Sequence, residues 1–230
     1  MKKLLKKNRL QSDIDSYLNS KGSEPVRGLG RPVFSCSEAT DCSREIAYRI
    51  YGVKPMVSKV DLHKVLLLRD GDYHCQTLKD LVANVGIVYN VEKEMIRKFK
   101  RGNLTITISG HTDFCLRRLG KKYVMECKGI NHFSWGKINR YKDTPQKYIN
   151  QLQLYIFLLK YKRGYVVIKN KNTSELYFDY QLLNLPLIKE LLDKFFKIQD
   201  LVNRKKMPAR ECEEGSRECG WCDWAQNCRG

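Results

Sequence analysis

Between residues 103 and 112 the chain alternates, with Leu104, Ile106 and Ile108 on one side and Thr105 and Thr107 on the other. That two-residue period predicts a strand with one apolar face. Residues 86–95 read as a strand before it. Residues 122–128 read as a third strand, reached through a turn at 117–121. Upstream the period is helical. Leu62, Val65, Leu66, Leu78, Leu81 and Val82 form an apolar stripe within 60–84, interrupted by Gly71, with His74 just beyond. Ser35 or Ser37 can cap a helix over 38–51 that Gly52 and Pro55 end. Downstream, Pro145 opens a helix to about residue 162, strands follow at 165–169 and 175–180, and a last helix runs over 186–204. Residues 129–145 show no period and read as an irregular loop. The order is helices, three strands, a helix, two strands and a helix: a mixed α/β core, its small sheet flanked by helices.

Composition adds a partner. The 230 residues include 43 Lys and Arg against 25 Asp and Glu, a formal net charge of +18. A surface this cationic attracts polyanions, nucleic acid above all. The irregular loop concentrates the same chemistry. His132, Phe133, Trp135, Lys137, Arg140, Tyr141 and Lys142 mix cations with rings on which bases stack. No base-reading motif such as a helix–turn–helix appears, so little sequence specificity is expected. Residues 1–34 read as a basic arm and linker, 35–209 as the core, and 210–230 as a Cys-rich segment. The Lys-rich start lacks the apolar stretch of a secretory signal, and no apolar run suits a membrane span. A reducing, cytoplasmic setting is expected. There, nine cysteines serve as metal ligands or small hydrophobes rather than disulfides.

The candidate chemistry lies in G-H-T-D (110–113), M-E-C-K (125–128) and Q-L-Q-L-Y (151–155). On a strand, Glu126 and Lys128 share a face and Cys127 points into the opposite layer. Asp113 ends the preceding strand, where a hairpin partner brings it beside Glu126. Two converging carboxylates bind Mg²⁺ or Mn²⁺ through oxygen. Lys128 beside the ion can orient the attacking water, help deprotonate it, or stabilise the phosphate. A hard metal held this way suits phosphoryl chemistry. His111 shares the parity of Asp113 and reads as a substrate contact or a rival ligand. Gln151 and Tyr155, one turn apart, share a helix face.

In this order the residues resemble the D-(D/E)-x-K nucleases, and among them the RecB-like branch. That branch carries an upstream histidine, an acid, E-x-K, and a glutamine and tyrosine on a helix. His74 in G-D-Y-H, Asp113, Glu126 with Lys128, and Gln151 with Tyr155 occupy those places. The resemblance spans about residues 35–228. It implies a restriction-endonuclease-like core and a catalytic metal held by His74, Asp113, Glu126 and the carbonyl of Cys127. It also implies that Gln151 and Tyr155 clamp the substrate and active-site groups.

Cys219, Cys222 and Cys228 form C-x2-C-x5-C. Three ligands leave a tetrahedral site open. Cys42, in D-C-S-R, is the leading fourth, with Cys36 and Cys212 as spares. This set resembles the iron–sulfur RecB-like nucleases, which include the CRISPR-associated exonuclease of Cas family four and the AddB nuclease domain. In these a lone N-terminal cysteine joins three C-terminal ones around a [4Fe–4S] cluster. Ser43 departs from the C-P-R motif of these proteins. The resemblance implies iron–sulfur; four thiolates suit zinc equally, and spacing does not separate the two. Cys75, Cys115 and Cys127 read as buried small hydrophobes.

The expected function is therefore a Mg²⁺- or Mn²⁺-dependent deoxyribonuclease, an exonuclease on single-stranded DNA or frayed ends, with a structural cluster. No G-x-x-x-x-G-K-[ST] motif is present, so it is not expected to drive unwinding. Two other readings stay open: a non-catalytic nucleic-acid-binding adaptor, and a subunit of an integrase or recombination complex active only when assembled.

Overall fold

The computed structural model describes residues 12–14, 16, 17, 28–55, 62–141, 143–212, 216, 219, 220 and 222–229. The Lys-rich start of the arm, Lys142, and the side chains of Leu62 and Val65 lie outside the described residues. Two sheets carry the fold. The smaller has the order β1 (Val33–Ser35), β4 (Leu104–His111), β3 (Glu94–Arg101), with β1 parallel and β3 antiparallel to β4. The larger has the order β2 (Ile87–Tyr89), β5 (Phe114–Arg118), β6 (Lys121–Ile130), β7 (Arg163–Asn170), β8 (Leu176–Leu182). Only β6 and β7 are parallel within it. A parallel pair needs a crossover. Here that crossover is α3 (His132–Tyr141) and α4 (Gln146–Leu158).

The large sheet is covered on both faces. On one, α4 places Leu152 and Ile156 against Val124, Val166 and Ile168 in the main core. That core also takes Ile106 and Ile108 of β4, Ile46 of α1 (Ser43–Tyr51) and Phe195 of α5 (Leu185–Asn203). Phe34 of β1 stacks on Phe195 with ring centroids 4.7 Å apart. On the other face, Leu78 and Val82 of α2 (Leu62–Val82) pack on Phe114, Leu116, Met125 and Val167. Strand β6 therefore alternates. Val124 faces the main core, with Glu126 and Lys128 following on that side, while Tyr123, Met125 and Cys127 face α2. No helix among the described residues is long and apolar enough to cross a membrane.

The structure departs from the sequence reading in several places. The helix expected over 38–51 is two pieces. Ser35 and Glu38 form a capping box on a 3-10 turn (Cys36–Thr40), Asp41 is extended, and α1 starts at Ser43. Lys194 Nζ donates to the carbonyls of Ala39 and Asp41, which removes those acceptors from any continuous helix. The expected linker at 28–34 belongs to the fold. Buried Arg49 donates to the carbonyls of Gly28, Arg31 and Val33 and pairs with Glu38 at 2.5 Å. The strand expected over 86–95 splits into β2 and β3, one in each sheet, at Asn90 and Glu92, whose φ values are positive. The expected 117–121 turn shrinks to Leu119 and Gly120, both at positive φ, and β5 precedes it. Gly71 does not interrupt α2, since one helical glycine costs only about 1 kcal/mol. Most of the stretch expected to be irregular is regular: β6 runs to Ile130, and α3 follows to Tyr141, with the Asn131 side chain accepting from Ser134 N–H at 2.8 Å. Trp135 and Ile138, three apart, are its buried face.

Candidate active site

Asp113 is positioned by the chain's passage from the small sheet to the large one. Between β4 and β5, buried Thr112 anchors the crossing: its N–H donates to the Lys93 carbonyl at 3.2 Å and its hydroxyl to the Asn90 carbonyl at 3.1 Å. The Asp113 carbonyl accepts from Glu92 N–H. Beyond it, Phe114 pairs with Met125 in the β5–β6 ladder. One step further along that register sets Asp113 opposite Glu126. The Asp113 side chain accepts from Cys127 N–H at 2.6 Å through Oδ2. The expected convergence of the two acids is present, delivered by a sheet switch rather than by a simple strand end.

Glu126 is 1% exposed. Its Oε1 lies 2.5 Å from Lys128 Nζ, and its Oε2 finds no protein donor. Burial first, then the Asp113 carboxylate, push Glu126 up to about 8. Burial also raises Asp113, against the Cys127 N–H that it accepts. Burial pulls Lys128 down, but the Glu126 carboxylate outweighs it and holds the ammonium above its usual range. The Lys128 ammonium also lies 5.5 Å from the centroid of the Tyr148 ring. Two acids and one cation thus meet around a buried Glu126, with Asp113 and Lys128 half-buried and one carboxylate oxygen left without a partner.

Tyr155, buried under the same residues, accepts from Gln151 Nε2 at 2.9 Å. Its hydroxyl is raised by burial and then by Glu126, which places it in the field of that carboxylate. Room for the ring comes from Gly110. A Cβ there would sit 2.6 Å from Tyr155 Cε1 and 2.9 Å from Cys36 Sγ. Gly110→Ala is therefore expected to displace Tyr155 and cost about 1–3 kcal/mol. A thermal melt together with cleavage kinetics checks this; an unchanged melting temperature would show that the pocket yields. Nothing in G-H-T-D marks Gly110 for this role, because its constraint is purely tertiary.

The histidines are placed differently. His74 of α2 lies over Gly129, where a Cβ would come 2.8 Å from its Cδ2, and its Nδ1 is buried without a partner. Among the described residues, the one group of His, Cys, Asp and Glu ligand atoms mutually within 4.8 Å is Cys75, Asp113 and Cys127, without His74. His111 is exposed at the end of β4, paired with Glu94. The cysteines at the two ends of the fold converge. Cys42, Cys212, Cys219, Cys222 and Cys228 line one cavity of about 860 Å³ between α1 and the C-terminal segment. Arg44 Nη1 donates to Cys228 Sγ at 3.5 Å, and Trp224 Nε1 to the Val53 carbonyl at 2.8 Å. Ser43, which stands where the resembling proteins carry proline, uses the N–H that a proline lacks: it donates to Glu211 at 3.0 Å. Cys36 is elsewhere, fully buried beside Gly110 and Tyr155, which removes it as a spare ligand of that cavity. Cys115 is buried as expected, but Cys75 and Cys127 are only half-buried.

No family model and no curated protein matches this sequence. Solved structures do. SSO0001 superposes with a TM-score of 0.62 at 17% identity, over 94% of this chain and 96% of that one. The alkaline exonuclease LHK-Exo from Laribacter hongkongensis superposes with a TM-score of 0.53 at 10% identity, over 83% of this chain and 93% of that one. LHK-Exo in complex with dAMP gives 0.52 at 11%, over 75% and 88%. Likeness at such identities speaks for architecture alone, and on it the chain has a mixed α/β, restriction-endonuclease-like fold.

Proposed function

We propose that this chain is a deoxyribonuclease that hydrolyses phosphodiester bonds with Mg²⁺ or Mn²⁺ held by Asp113 and Glu126. The observation that carries the reading is the pair of acids, Glu126 buried and Asp113 half-buried, with Glu126 Oε2 facing no donor. Carboxylates taken out of water are costly unless a cation offsets them. Two carboxylates as the principal donors suit a hard divalent ion. His74, through its unpartnered Nδ1, and the Cys127 carbonyl are the further ligands in this reading. When bound, the ion supplies positive charge to the phosphate oxygens and makes a water more acidic.

The chain's own groups do the rest. Lys128 rests as a cation, so it donates to a phosphate oxygen or holds the attacking water; it is not the resting base. Gln151 and Tyr155 fix the wall of the pocket behind Glu126. The substrate reading is single-stranded DNA or frayed ends. It draws on α3, directly after β6, where Phe133 and Tyr141 are 74% and 69% exposed and Lys137 lies 4.9 Å from the Phe133 ring centroid.

For the cavity of cysteines, the reading is a [4Fe–4S] cluster on Cys42, Cys219, Cys222 and Cys228, with zinc the rival and Cys212 a spare fourth ligand. Four thiolates suit either group, and the support for a bridged site is the cavity that these cysteines line together.

The test is cleavage of end-labelled single-stranded DNA with Mg²⁺, Mn²⁺ or EDTA, wild type beside Lys128→Ala. Expected are metal-dependent cutting and a loss of about 10²–10³-fold in the variant with DNA binding retained. Cutting in EDTA, or undiminished in the variant, overturns the assignment. Binding without cutting by either protein favours the adaptor or the assembly-dependent subunit.

A further inference from the structure

The two thiols beside the acid pair have no part in hard-metal chemistry. Cys75 follows His74 on α2, and the two meet β6 in step: His74 lies over Gly129, while Cys75 meets Cys127, two residues earlier on the same strand face. Cys75 Sγ, Cys127 Sγ and an Asp113 carboxylate oxygen lie within 4.8 Å of one another, and all three residues are half-buried. Thiolates are soft donors. They reject Mg²⁺ and Mn²⁺ in favour of zinc and its relatives. Two thiolates and one carboxylate form a three-ligand set that leaves a fourth position to water. Lys79, one turn after Cys75, and Lys128 both act on Asp113, so their charge offsets the surplus negative charge of such a site.

We infer that Cys75, Cys127 and Asp113 form a site for a thiophilic divalent cation, Zn²⁺, and that filling it withdraws Asp113 from the pair it makes with Glu126. Binding releases the two thiol protons to solvent and involves no redox step. Zinc then acts as an inhibitor that a chelator reverses. That inhibitory half rests on the nuclease reading; the binding half does not.

The binding test uses ¹¹³Cd²⁺ as a spectroscopic surrogate on reduced full-length protein, wild type beside Cys75→Ser. The C-terminal cysteines are the same in both, so their contribution cancels in the difference. The wild type is expected to hold one more equivalent, with a thiolate-shifted ¹¹³Cd resonance that the variant lacks. Equal stoichiometry and equal spectra overturn the site, whether or not the protein cuts DNA. In cleavage at fixed Mg²⁺, added Zn²⁺ is expected to inhibit the wild type. The inhibitory concentration should rise about tenfold or more in Cys75→Ser. Bound metal without inhibition overturns the withdrawal of Asp113. Should the variant fail to fold, alkylation of the wild type followed by mass spectrometry decides. Zinc protection of Cys75 together with Cys127 supports the site, and labelling unaffected by zinc overturns it.

Discussion

Glu126→Ala is expected to lower metal-dependent cleavage by about 10³-fold or more, to background, while the chain stays folded. The reason is the position of the carboxylate. It is buried, opposite a second acid, with one oxygen facing no donor. The same position makes a stability prediction with a definite sign. The fold holds Glu126 near 8, above its ordinary 4.5, so the protonated form is the one the metal-free fold prefers. Stability from that group is present below about pH 4.5 and is lost as pH rises through about 8. In EDTA the melting temperature of the wild type should therefore fall across that window. The associated cost is on the order of a few kcal/mol. Glu126→Gln keeps the volume and removes the charge, so its melting temperature should be nearly flat over the same range. Mn²⁺ should restore the wild type at high pH and leave the variant unmoved. Full cleavage by Glu126→Ala, or identical pH profiles of wild type and Glu126→Gln, would remove Glu126 from the metal site.

Cys222→Ser is expected to bleach the visible absorbance of anaerobically purified protein and to lower its stability by about 3 kcal/mol or more. The C-terminal segment is short. Among its described residues, Trp224 is the buried anchor. Polar contacts to α1 and the residues after it include Tyr48 to the Asn227 carbonyl, Asn227 to the Lys54 carbonyl, Arg44 to Cys228, and Ser43 to Glu211. Polar contacts at a half-exposed surface contribute little each. A group bridging four thiolates joins both ends of the fold at once. Within the cavity, burial and then the neighbouring Glu45 carboxylate push the metal-free Cys222 thiol up to about 12, so a bound cation is what makes a thiolate there favourable. Visible spectra, iron and zinc analysis and melting curves check this. An unchanged spectrum, metal content and melting curve would take Cys222 out of the set. Cys36→Ser separates the two ends of the question: fully buried beside Tyr155, it should leave the metal content of the cavity untouched.

Local periodicity made several of these features legible in advance. The alternation of Leu104, Ile106 and Ile108 with Thr105 and Thr107 is β4, because a strand with one buried face repeats every two residues. The same period put Glu126 and Lys128 on one face, and their 2.5 Å contact follows from it. Helical spacing put Gln151 under Tyr155, and they are hydrogen-bonded. Where the pattern was thin, reading failed. Among its described side chains helix α3 buries just Trp135 and Ile138, amid cations and exposed rings, so its period was hidden; the Asn131 cap three residues before Ser134 was the signal that marked it.

What the sequence determined by itself is thus the set of chemical groups and their local facing: two acids, a lysine, a glutamine–tyrosine pair and cysteines at both ends. Tertiary structure alone decided which of them meet. Asp113 reaches Glu126 because Thr112 and residues 90–93 carry the chain between sheets through hydrogen bonds distant in sequence. Cys42 and Cys36 stand close together in the chain, yet α1 delivers one to the C-terminal cavity while the 3-10 turn buries the other beneath Gly110. Cys75 meets Cys127 only because α2 lies on the face of β6 opposite the main core. Short-range periodicity reports which way a side chain points from its own element. Which elements pack face to face depends on burying the most apolar surface over the whole chain, and that is settled only when every element is in place.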